Sequence, residues 1–294
     1  MQQETKSRVL LVDLDPQSNL SQLFLNAHKT ESLLDQDRSV ISLFEPGRTI
    51  GRQNSPREDW SKILEDPKAP YPSRDAIVYP LIDGATHPGR LDLICGQFDV
   101  AKYSLPAVTP EQKETVKRRF SDSLTRLRQE YDLVILDTNP TLSFLSLSAH
   151  DISNHILCPV GPNRFAIRGL RVLRALQEQA SKSKPNQMIF VNRIPARDKT
   201  AEEFVKQFRN GDFDSQIANT KHGEEVSDPA SAQVLQSMLP ETKNLRPADP
   251  NPIPSQNMVV YRRGPGIKAV REKLTALARE LIEEMEIRKW TPAP

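Results

Sequence analysis

Short, mostly apolar runs punctuate an otherwise polar chain, and several of them close on an acid or an amide. Val9, Leu10, Leu11 and Val12 are followed by Asp13 and Asp15, and YDLVILD (Tyr131 to Asp137) ends in Asp137. Leu91 to Cys95 (LDLIC), Asn154 to Val160 (NHILCPV) and Gln187 to Val191 (QMIFV) have the same character, the last running into Asn192 and Arg193. Runs of this kind predict strands buried on both faces of a parallel sheet, because a strand with one wet face alternates. Between them lie stretches with helical spacing. Pro110 to Tyr131 has Thr109 as its cap, Pro110 and Glu111 in its first turn, and apolar positions at Val116, Phe120, Leu124 and Leu127. Arg164 to Ala180 repeats the pattern at Ile167, Leu170, Leu173 and Leu176, and Ile267 to Ile287 closes the chain amphipathically. Shorter helices are expected at Leu20 to Leu25, Ser39 to Phe44, Ser143 to His150 and Thr200 to Arg209. Strands alternating with helices imply an α/β fold, a mostly parallel sheet with helices on both faces.

Proline interrupts this alternation twice. Positions 45–90 read as an insertion with a short helix at Arg57 to Leu64, and 211–255 as loops around at most one short helix, followed by a strand at Met258 to Tyr261. With 294 residues the expectation is one domain spanning 1–294 and carrying both insertions. A formal net charge of +2 does not announce a nucleic-acid binder, so any basic surface must be local. Cys95 and Cys158 each sit in an apolar run, which suits buried thiols better than a disulfide or a metal site. No apolar stretch approaches the roughly 20 residues that span a bilayer.

Asp13 and Asp15 fall on one side of their strand, since side chains repeat every second residue. Two close carboxylates need a cation, a donor network or a raised pKa to coexist. In open α/β sheets, ligands gather beyond the carboxyl ends of the strands, where this pair sits. A plainer reading stays open here: Asp15 or Ser18 caps a helix beginning near Asn19.

The combination VLLVDLDPQSN, YDLVILDTNPTLSFLSLSA, HILCPVGPNRFAIRGL and IFVNRI resembles the ParA/MinD family of deviant Walker ATPases, most closely its ParA and Soj partition proteins. The resemblance covers roughly Arg8 to Arg193 apart from the Pro-rich insertion, and implies a P-loop NTPase-like three-layer fold. It further implies that Asp15 orients or deprotonates the attacking water, that Asp13 supports the magnesium shell, and that Asp137 is the Walker B acid. Asn192 matches the residue that reads the adenine edge, and Pro162 lies in the segment flanking the base. For Asn192 the alternative is a strand-end turn former, and for Arg193 a solvated arginine. ATP and magnesium are the implied cofactors. The implied partners are nonspecific DNA, a ParB-like protein and, with ATP bound, a second copy of the chain. The implied location is cytoplasmic and nucleoid-associated.

One part of the family pattern is missing. Its members carry a first strand and a KGGxGKT phosphate loop before the DLDPQ motif, yet only seven residues precede Arg8 and the first glycine is Gly47. The nearest substitute, VVYRRGPGIKAV, has Gly264, Gly266 and Lys268 but not the Gly-Lys-Ser/Thr order, and reads as a loop and helix start. Met1 is therefore expected to be an internal methionine of a longer protein. The chain by itself is expected to be poorly stable and unable to hydrolyse ATP. The alternative is a noncatalytic DNA- or protein-binding relative that has lost the loop. DNA contact is expected at Arg262, Arg263, Lys268 and Arg271, with a solvated helix face as the competing reading. A membrane-surface role for the last helix is disfavoured by Glu280, Glu283, Glu284 and Glu286, which anionic lipid repels.

Overall fold

Strand β1, Arg8–Asp13, is the centre of the first sheet. It pairs in parallel with β3, Arg90–Ile94, on one side and with β4, Leu133–Asp137, on the other. The computed structural model describes residues 7–46, 70–82, 89–106, 108–163, 165–166, 169–170, 185–196, 198–209, 233–245 and 264–287. These group into two compact units divided near residue 150, with the closing helix in the second. The strands fall into two sheets, ordered β2 (Tyr79–Ile82), β3, β1, β4 and β5 (His155–Val160), β6 (Asn186–Ile194), β7 (Gln233–Pro240). Every strand pairing is parallel except β2 against β3.

In the first unit, β1 leads into helices α1, Asn19–Phe24, and α2, Ala27–Asp35. Leu25 and Leu33 pack with Leu11, Leu93 and Cys95 as one apolar cluster. A single 3-10 turn, Val40–Leu43, stands where the sequence predicts a short helix. Phe44 stacks on Phe120 of helix α4, Pro110–Leu127, with ring centroids 4.5 Å apart. The cap predicted for α4 is present as a full capping box, Thr109 accepting from the Gln112 N–H while the Gln112 side chain accepts from the Thr109 N–H. Helix α5, Phe144–Ile152, follows β4.

Two elements of this unit escape the apolar pattern. Helix α3, Arg74–Ile77, and strand β2, Tyr79–Ile82, lie inside the expected insertion. β2 is the outer antiparallel strand of its sheet, a position that tolerates Pro80 because an edge residue need not donate on both sides. At the opposite end of the sheet stands β4. Its LVIL run is half-buried to exposed, with Ile135 44% accessible, whereas Leu10 to Asp13 of β1 are buried. Central and edge positions therefore give two similar apolar sequences different environments.

In the second unit, β6, Asn186–Ile194, lies between β5, His155–Val160, and β7, Gln233–Pro240. Alternation along β6 serves two cores. Ile189 and Val191 join Cys158, Val160 and the Phe204, Val205 and Phe208 side of helix α6, Lys199–Arg209. Met188 and Phe190 join Leu235, Leu239 and Leu277 of helix α7, Ile267–Glu284. This accounts for the unbroken apolar sequence of β6: both its faces are covered.

Strand β7 corrects the expectation of loops with at most one short helix across 211–255. Its apolar residues Val234, Leu235 and Leu239 are diluted by Gln233, Gln236 and Ser237, and its register against β6 shifts along its length. The Glu280 carboxylate of α7 accepts from the Gln236 and Ser237 N–H groups at that irregularity. Gly264 and Gly266 turn the chain into α7 with φ of 135° and 77°, so the GPG sequence works as a loop and helix start. The expected helix at Arg57 to Leu64, most of that at Arg164 to Ala180 and the strand at Met258 to Tyr261 lie outside the described residues. Among the described residues, no helix is long and apolar enough to cross a membrane.

Candidate functional site

Parallel pairing of β1 with β4 sets Asp13 directly opposite Asp137 at the carboxyl ends of both strands. The ladder runs one step further, the Leu14 N–H donating to the Asp137 carbonyl at 2.8 Å. Beyond Leu14 the DPQS segment closes a turn in which the Ser18 N–H donates to the Asp15 carbonyl at 2.8 Å. Asp15 also accepts the Gln17 N–H on Oδ1 at 2.9 Å, which fixes its side chain and leaves the second oxygen to other partners. Ser18 occupies the left-handed region, φ 55°, at the N-cap position just before α1, and its side chain makes no capping bond.

The cap comes from Asp13 instead. Its Oδ2 accepts the Ser21 backbone N–H at 2.8 Å and the Ser21 hydroxyl at 2.7 Å, so the strand-end acid holds the first turn of α1. The Gly96 N–H, just past β3, donates to the Ser21 oxygen at 2.8 Å. A Cβ at Gly96 would lie 2.8 Å from Asp13 Oδ2 and 2.7 Å from Ser18 Oγ, so only glycine fits there without displacement. Asp13 Oδ1, in contrast, is buried with no hydrogen-bond partner among the described residues.

Burial and mutual repulsion shape the charges. Burial, then the neighbouring Asp13 and Asp15 carboxylates, push Asp137 up to about 6. Asp13 is also raised, burial together with the Asp15 charge outweighing the stabilising influence of the Ser21 hydroxyl and of the Ser21 and Asp15 backbone N–H groups. Burial pushes the adjacent Cys95 thiol up to about 11, and both cysteines are free and buried, as expected from their apolar runs.

The structure thus brings Asp13, Asp15 and Asp137 to one end of one sheet. Ser21 and Gly96, which complete this arrangement, were not predicted as site residues. The strand-closing position of Gly96 was the available signal; Ser21, eight residues beyond Asp13, had none. No group of three His, Cys, Asp or Glu side chains among the described residues is arranged to hold a metal directly. Paired acids with one unpartnered buried oxygen fit a hydrated magnesium ion, which keeps most of its waters and takes one or two carboxylates.

In the second unit Val160, the last residue of β5, pairs with Val191, and β6 continues past the predicted end at Val191 to Ile194, so Asn192 lies within the strand while Pro162 lies two residues beyond β5. Asn192 Oδ1 accepts the Arg193 N–H at 2.8 Å, a bond formed as Arg193 turns to φ 56°. Arg193 itself reaches Glu241 at 3.4 Å. Lys268 and Arg271 stand three residues apart in the first turns of α7, Lys268 exposed and Arg271 half-buried. Arg262 and Arg263 lie outside the described residues.

A family model described as an AAA domain matches residues 1–190. The chain belongs to that family. This AAA domain is similar to the sporulation initiation inhibitor protein Soj of Bacillus subtilis, 26% identical over 211 residues, covering 69% of each chain. A "ParA family protein" of Chlamydia trachomatis is 24% identical over 184 residues, 61% of this chain and 56% of that one. The chain spans 35% to 56% of the length of the curated relatives it matches first. Among solved structures, pNOB8 ParA superposes with a TM-score of 0.55 at 16% identity, over 95% of this chain and 88% of that one. It has also been solved bound to nonspecific DNA. A Borrelia burgdorferi structure described as a plasmid partition protein, bound to AMPPNP, gives 0.54 at 15% identity, over 93% and 86%. The ParA/MinD resemblance carried by DLDPQ and LVILD is borne out, and the fold is that of the ParA structures.

Proposed function

We propose that this chain carries the acid half of the ATP-hydrolysis site of a ParA-like partition ATPase. The observation that carries the reading is the pairing of Asp13 with Asp137 across neighbouring parallel strand ends, with the buried Asp13 Oδ1 making no hydrogen bond among the described residues. Asp13 and Asp137 hold the hydration shell of magnesium. The ion, when bound, supplies charge neutralisation at the phosphates, the main need of phosphoryl transfer. Asp15, held by its turn, orients the attacking water and accepts its proton. Asn192 and Pro162 read the adenine; the Arg193 N–H occupies one side of the Asn192 amide and directs the rest of it. With ATP the chain pairs with a second copy, binds DNA without sequence preference through Arg262, Arg263, Lys268 and Arg271, and is released when a ParB-like partner stimulates hydrolysis. It acts at the nucleoid, in the cytoplasm. The DNA-bound state of pNOB8 ParA supports the DNA step.

The test is magnesium-dependent ATP turnover by the protein expressed from its complete reading frame. Asp15→Asn is expected to lower turnover by roughly 10²- to 10⁴-fold, the usual contribution of a positioned base, while leaving nucleotide binding intact. Turnover unchanged in Asp15→Asn and Asp137→Asn removes these two residues from the hydrolytic step, and a parent without turnover leaves the noncatalytic DNA- or protein-binding relative.

A further inference from the structure

Ser21 does more than begin a helix. A single bond from its backbone N–H to Asp13 would satisfy the first turn of α1, yet its hydroxyl donates to the same Oδ2 at 2.7 Å. That hydroxyl is itself held by the Gly96 N–H at 2.8 Å, from a residue 75 positions away at the end of another strand. Ser21 and Asp13 are fully buried, so neither bond is exchanged with water. Gly96 approaches so closely that a Cβ there would meet Asp13 Cγ and Oδ2 at 2.8 Å. The first turn of α1 therefore supplies both donors to one oxygen of the β1 carboxylate, and the residue just past β3 braces the donating hydroxyl. The other oxygen, Oδ1, makes no such hydrogen bond among the described residues.

We propose that Ser21, braced by the Gly96 N–H, is a positioning residue of the acid site: it locks the Asp13 carboxylate so that Oδ2 is spent on the protein and Oδ1 is kept for the magnesium hydration shell. This rests on the reading of Asp13 as an acid behind a hydrated cation. Two donors on Oδ2, with no hydrogen bond to Oδ1 among the described residues, is the arrangement such a role needs, because a rotating carboxylate would present either oxygen and fix no water. The Gly96 N–H matters equally, since it sets the direction in which the Ser21 hydrogen points.

The test uses the protein expressed from its complete reading frame and two opposite perturbations. Ser21→Ala removes the hydroxyl and leaves the space; Gly96→Ala keeps the hydroxyl and pushes the carboxylate aside. Both are expected to raise the magnesium concentration for half-maximal ATP turnover by roughly tenfold or more, the scale on which groups behind a metal's direct ligands act. The KM for ATP is expected to stay within about twofold. Ser21→Thr, which keeps the hydroxyl, is expected to restore the parent magnesium requirement. Nucleotide-free Mn²⁺ binding, followed by loss of the free-ion EPR signal, is expected to weaken in the same two variants and recover in Ser21→Thr. Variants that lose thermal stability but keep the parent's magnesium requirement and Mn²⁺ affinity overturn the proposal, because Ser21 is then only a helix brace. If the parent turns over no ATP, the hydrolytic reading fails on its own and Mn²⁺ binding decides the positioning role; a parent that binds no Mn²⁺ overturns it.

Discussion

Asp137 is the side chain whose charge state reports on the acid cluster. Burial and the facing Asp13 and Asp15 carboxylates hold its pKa at about 6 against an ordinary 3.8. In that window the folded chain binds more protons than the unfolded one, so the stabilisation it contributes is full below 3.8 and is lost as pH rises through about 6. Asp137→Asn is therefore expected to raise the urea midpoint at neutral pH and to flatten its fall between these pH values; an unaltered pH profile would refute the assignment. Ser18 offers a second test at this scale. It bears a left-handed backbone at φ 55° without a capping bond in return, so Ser18→Gly is expected to stabilise the protein by about 0.5–1 kcal/mol in denaturant titrations.

Among the elements, α4 is the one whose beginning is most completely written in its residues. Thr109, Pro110 and Gln112 form a local device needing nothing from the rest of the chain. Thr109→Ala is expected to cost about 1 kcal/mol, measurable as a shift in denaturation midpoint without change in slope. Local patterns also revealed β1, β3, β4, β5 and β6 through their mostly apolar runs, which mark β4 and β5 as strands even though Ile135 and Leu157 are exposed. The elements that stayed illegible are those whose stability comes from elsewhere. β2 exists because β3 pairs with it despite Pro80, and β7 because β6 and Glu280 supply partners for a half-polar sequence; α2 has a local cap in Asn26, but buries only Leu33 and so shows no apolar stripe. The acid cluster divides in the same way. Asp13, Asp15 and Asp137 could be read from strand ends, whereas the Ser21 and Gly96 bonds depend on folded proximity across 75 residues and leave no local trace.

At the scale of the whole molecule, a formal net charge of +2 gives little general attraction to nucleic acid. DNA affinity must then come from a few cations. Binding is expected to fall steeply with salt, and Lys268→Ala to lower the slope of log affinity against log salt by about 1; a slope unchanged in the variant would move the DNA surface elsewhere. The outermost strand of the first sheet carries a different consequence. Among the described residues, β4 exposes Ile135 on a run of four aliphatic residues at the end of the sheet, with no lysine or proline in Leu133 to Leu136 to blunt it. Such a margin invites any extended aliphatic peptide to zip alongside, so concentrated solutions should grow aggregates that a single lysine in place of Ile135 suppresses.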